Sequence, residues 1–153
     1  MRRFVSTLVA AVLARDVVDG VIDNGVASSS KAKAARKQLV NSLKDARSSS
    51  QDAGDAIKEL GPPDVRNGAK ISSTAATALY DTGDTFSEAA DDAAKFSTDP
   101  KKFQKQVKAL KSQVNDGLDA AGEDISKIDG LDADGTLDAA LTSEPACSSL
   151  SSN

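Results

Sequence analysis

The chain has 153 residues, with 19 Lys and Arg against 23 Asp and Glu, a net charge of −4. It contains no His and no Trp, and one Cys, one Met and one Tyr. That excludes His-based acid–base chemistry, His-ligated and Cys-cluster metal centres, and any Ser–His–Asp or Cys–His triad. An acidic balance with 3% aromatic residues also argues against nucleic-acid binding, which uses a basic face or stacking rings.

In chain order, Met1, Arg2 and Arg3 precede a largely apolar run from Phe4 to Ala14. Two Arg, an apolar stretch and small residues at Val12 and Ala14 are the pattern of a secretory signal peptide. Val17, Val18, Val21 and Ile22 carry the apolar pattern past Arg15 and Asp16, which equally suits a first amphipathic helix over 4–22. Both readings stand at this point. The interruptions at Arg15, Asp16 and Asp19 come too early for a spanning helix, which needs ~20 predominantly apolar residues. Residues 27–31 read as a linker.

A long helix follows. Leu39, Leu43, Ala46, Ser50, Ala53, Ile57 and Leu60 step by three and four, a single apolar stripe with Ser50 its one polar member. Gly61, Pro62 and Pro63 stop it, because Gly takes the left-handed closing position and Pro cannot continue a helix. The second long pattern runs from about 65 to 96, with Ile71, Ala75, Ala78, Thr82, Phe86, Ala89, Ala93 and Phe96 on one face and Leu79 and Ala90 widening it. Asp99 as N-cap and Pro100 at the first helical position then start a third. Its stripe is Phe103, Val107, Leu110, Val114, Leu118, Ala121, Ile125 and Ile128. Leu137, Ala140 and Leu141 suit one short further helix before Pro145, and the Ser-rich residues 142–153 read as a flexible tail.

Helices of ~28 residues at 1.5 Å rise would each be ~40 Å long. Short loops between them predict antiparallel packing. The fold class read from the sequence is therefore all-α: an antiparallel bundle of four helices over 1–141, with a short C-terminal helix. Twenty-five Ala against 32 Leu, Ile, Val and Phe predict a thin core in which helices approach closely. Charge agrees with the antiparallel order. Basic residues crowd the first halves of the helices beginning near Lys31 and Pro100, and acids crowd 81–92 between them.

Few constellations carry chemistry. With Gly135 at the sixth position of a calcium loop, Asp132, Asp134 and Asp138 fall at the third, fifth and ninth. Gly130 and Leu141, however, occupy the first and twelfth, where anionic ligands are needed. These three Asp are weak metal candidates, and an Asp-Gly turn is the plainer reading. Asp91–Asp92 and Glu123–Asp124 are adjacent carboxylates that do not face each other on a helix. The lysines at 101, 102, 105, 108 and 111 form a ladder able to touch an anionic surface. Ser28–Ser30 and Ser48–Ser50 lack a base and read as linker and helix surface, not as nucleophiles. Cys147 is a free thiol or, outside the cell, an intermolecular partner.

The runs Ala35–Val40 (ARKQLV), Leu60–Val65 (LGPPDV), Asp99-Pro100 with Phe103, and Leu137–Leu141 (LDAAL) before Pro145, Ala146 and Cys147 together resemble small secreted proteins and lipoproteins of actinobacteria. The resemblance covers most of the chain from about residue 35. It implies an Ala-rich helical bundle outside the cytoplasmic membrane with no established activity. Such relatives carry a second Cys in the first helix, bridged to the C-terminal one that matches Cys147. This sequence has no Cys around Phe4, Val5 and Ser6, and the resemblance favours 4–22 as a bundle helix. The function expected is that of a non-enzymatic secreted or cell-envelope protein, a binding or structural module without cofactor, meeting a protein or envelope surface. The alternatives are weak calcium binding through Asp132, Asp134 and Asp138, and a cytoplasmic helical interaction protein.

Overall fold

The computed structural model describes residues 27–132 and Gly135. Three helices fill this span: α1 (Ser29–Leu60), α2 (Gly68–Ala94) and α3 (Pro100–Leu131). No strand occurs among the described residues. The expected helix over 4–22, the signal-peptide reading of 1–14, the short helix around Leu137 and the tail at 142–153 all lie outside them.

Helix α1 starts earlier than the linker reading of 27–31 allows. Ser28 is extended and its hydroxyl accepts from the Lys31 N–H at 3.4 Å, so the serines of that stretch cap and open the helix. Ser hydroxyls satisfy the free N–H groups of a first turn as well as they populate linkers. The far end stops as expected. Gly61 takes φ 73° and donates to the Lys58 carbonyl at 3.2 Å, and two prolines follow.

Helix α2 is shorter than the pattern over 65–96 suggested. Asn67, with φ 61°, turns the chain into it. Its backbone carbonyl accepts from Lys70 and Ile71, while its side chain donates to the Leu131 carbonyl at 2.8 Å. That bond ties the start of α2 to the end of α3. The α2–α3 turn is bound as firmly. Arg36 Nη1 donates to the Phe96 carbonyl at 2.7 Å, and the Asp99 carboxylate caps α3 by accepting from the Lys102 N–H at 2.9 Å.

The helices run antiparallel, with α2 packed along both α1 and α3, which approach one another only slightly. The stripes read from the sequence are buried at Leu39, Leu43, Ala46, Ser50 and Ala53 on α1, and at Phe103, Val107, Leu110 and Val114 on α3. Because α2 has a helix on each side, its buried arc is wider than one stripe. Ala76, Gly83 and Ala90, seven residues apart, join Ile71, Ala78, Phe86 and Ala89 inside. The stripes lose their cover at one end of the bundle: Leu60 is 82% exposed and Ile125 50%. Periodicity gives a helix face but not the length of its neighbour, and α2 has 27 residues against 32 in each flanking helix.

Candidate functional site

Of the expected metal ligands, only Asp132 is described. It caps the end of α3 with its N–H on the Ile128 carbonyl at 3.0 Å, and its own carbonyl accepts from the Gly135 N–H at 2.9 Å. Gly135 itself has φ 68°. Asp134, Asp138 and Cys147 lie outside the described residues. No group of three potential metal ligands converges among the described residues.

The adjacent carboxylates are engaged by cations of their own helix. Asp92 pairs with Lys95 at 3.1 Å, and Asp124 pairs with Lys127. The hydrogen bond to Asp124, reinforced by its charge, raises the Lys127 pKa above the ordinary lysine value. No charged side chain is buried among the described residues.

The serine clusters divide. Ser28 is a cap, Ser48 is exposed, and Ser50 is fully buried with its hydroxyl unbonded. Ser50 therefore belongs to the stripe and not to the helix surface that its cluster suggested. A Cβ on Gly83 of α2 would lie 3.6 Å from the Ser50 Cβ, so the two helices meet closely there.

Tyr80 is a side chain that sequence reasoning passed over. Its hydroxyl donates to Asp55, and the Lys58 ammonium lies 4.2 Å above its ring. Those two α1 residues are three apart, so they share a face, and the only Tyr of the chain clamps α1 to α2. Its being the single Tyr of the sequence was the available signal.

A shallow, open depression of about 320 Å³ lies between the end of α2 and the first half of α3. Phe96 and Leu110 form its floor, and Asp92, Lys95 and Gln106 its rim. The rim is committed elsewhere: Asp92 holds Lys95, and Gln106 accepts from the Ser97 N–H at 2.8 Å. It holds the α2–α3 turn in place and presents no nucleophile.

Charge is the distinctive property of the surface. Gly83 lies level with Arg47 and Ser50, and Gly117 level with Thr85, which fixes the midpoint of the bundle. On one side of it, residues 27–47 and 84–117 hold twelve Lys and Arg against seven Asp and Glu, a net +5. On the other, residues 48–83 and 118–132 hold four against ten, a net −6. Lys101, Lys102, Lys105 and Lys108 of the expected ladder are exposed. The described body is therefore bipolar, and such a field steers and orients a charged partner. No helix among the described residues is long and apolar enough to cross a membrane. Comparison with protein-family models, with curated proteins and with solved structures finds no match.

Proposed function

We propose that the chain is a non-enzymatic secreted or cell-envelope helical-bundle protein that acts through its surface, as a binding or structural module. The observation that carries this reading is the sorting of charge into a basic and an acidic end on a body whose ionisable side chains all reach solvent. The sequence resemblance to exported actinobacterial proteins supports a location outside the cytoplasmic membrane. The partner is a protein or envelope surface, because exposed charge reads extended surfaces better than it encloses a small molecule.

The same reading includes a fourth helix. Its residues are 4–22, amphipathic in sequence.

The test is cell fractionation of the native host, with the intact mass of the purified protein. Recovery outside the cytoplasmic membrane supports the reading, and a mass lacking 1–14 would make that segment a signal peptide. Recovery in the cytosol, full-length and with Cys147 reduced, would contradict it.

A further inference from the structure

The outward face of α3 carries a second periodic pattern, two residues out of step with the buried Phe103–Val107–Leu110–Val114 stripe and so roughly opposite to it. Lys101, Lys105, Lys108, Ser112, Asp116, Asp119 and Glu123 step by 4, 3, 4, 4, 3 and 4 residues. All seven are exposed. The first three are basic and the last three acidic, and they are placed symmetrically. Lys108 and Asp116 are each four residues from Ser112, Lys105 and Asp119 seven, and Lys101 and Glu123 eleven.

Within a single helix this arrangement is unfavourable on two counts. Like charges three and four residues apart repel on one face. Lys101, in the first turn, also opposes the helix dipole. Beyond the Asp99 cap, α3 has no acid in its first turn and no base in its last. Elsewhere the same helix uses the favourable mixed spacing, at Asp124 and Lys127. A solvated face needs polar residues but does not need them sorted by sign.

We propose that two copies of the chain pair antiparallel through this stripe, about a twofold axis passing Ser112. Each Lys101 then faces the partner's Glu123, each Lys105 the partner's Asp119, and each Lys108 the partner's Asp116. The interface is isologous and closes at two subunits. Charge over the whole described body favours the same orientation, since the +5 half of one copy lies beside the −6 half of the other. The segments outside the described residues do not cancel that asymmetry. Residues 1–26 hold three Arg and three Asp, and 133–153 hold three acids and no base. Exposed ion pairs are individually weak, so the pairing is reversible and depends strongly on salt. At ~0.01 M ionic strength the screening length is ~30 Å, and at ~0.15 M it is ~8 Å. The pairing names a partner for the surface reading above, and it does not depend on where in the cell the protein resides.

The test is sedimentation equilibrium of the full chain carrying Cys147→Ser, which removes disulfide dimers, at ~10 mM and ~500 mM salt. A dimer at low salt whose dissociation constant rises at least ~10-fold at high salt is expected from the loss of several charge contacts. The variant Lys101→Glu/Lys105→Glu/Lys108→Glu is expected to be monomeric alone, as is Asp116→Lys/Asp119→Lys/Glu123→Lys. An equimolar mixture of the two should associate, and the chain with all six reversals should dimerise again. Circular dichroism checks that these surface variants keep their helices. Geometry is read separately with a short bismaleimide in the same background. Ser112→Cys should cross-link to its mate at low salt, whereas Ser126→Cys should not, its two copies lying about 42 Å apart along the paired helices. A wild-type chain that stays monomeric at low salt, a dimer indifferent to the triple reversals, or cross-linking at 126 instead of 112 would overturn the proposal.

Discussion

The two ends of the bundle are built from different materials. The basic end holds the large buried side chains: Phe86, Phe96 and Phe103, with Leu39, Leu43, Val107 and Leu110 around them. Phe96 and Phe103 meet edge-to-face, 6.2 Å apart between centroids, and Arg36 and Asp99 bind the turn over them. The acidic end is lined by Ala53, Gly54, Ala76 and Ala121, contains the unbonded Ser50 hydroxyl, and leaves Leu60 and Ile125 uncovered. Stability scales with apolar area removed from water, so one end anchors the fold and the other follows it. A shared pattern of helical stripes thus produces unequal packing when large residues are spent on one half.

The largest effect that would break this contrast lies at the anchor. Phe103→Ala, at a fully buried site, is expected to cost about 3–5 kcal/mol in denaturant unfolding. A loss below 1 kcal/mol would show that the basic end is not the anchor. Ile71→Ala, the largest buried apolar change available at the acidic end, should cost about 2 kcal/mol, because Ile71 lies outside the main buried cluster. Ser50→Ala should raise stability by about 1 kcal/mol, since it removes an unpaired buried hydroxyl and adds helix propensity. A loss on that substitution would mean the hydroxyl finds a partner in solution. Asp99→Ala should cost about 1 kcal/mol through the lost cap. Leu60→Ala should change stability by no more than about 0.5 kcal/mol, and a larger loss would reveal a cover over that end.

The parts of this molecule legible in sequence are those with local causes. The α1 stripe as far as Ala53 and the α3 stripe from Phe103 to Val114, the stop at Gly61–Pro63 and the start at Asp99–Pro100 follow from helical period and cap chemistry, and each stands where those rules put it. Helix α2 was less legible. Its start depends on Asn67 reaching Leu131, 64 positions away, and its wide buried arc on having two neighbours. The Tyr80–Asp55 bond likewise crosses between helices. The lysines of α3 were visible as a ladder. Their symmetry with Asp116, Asp119 and Glu123 about Ser112 has meaning only once 101–123 is one continuous helix with that face in solvent. The Asp-Gly reading of 134–135 rests on Asp134, which, like Asp138 and Cys147, lies outside the described residues.

The contrast between the ends is tested most directly by native-state amide hydrogen exchange. Amides of Leu39–Leu43, Phe86–Ala93 and Val107–Leu110 are predicted to exchange only through global unfolding, with free energies matching that from denaturant. Those of Ile57–Leu60 and Ile125–Leu131 are predicted to exchange through local opening, at lower free energies and with little denaturant dependence. Equal protection at the two ends, or stronger protection at the acidic one, would contradict the account.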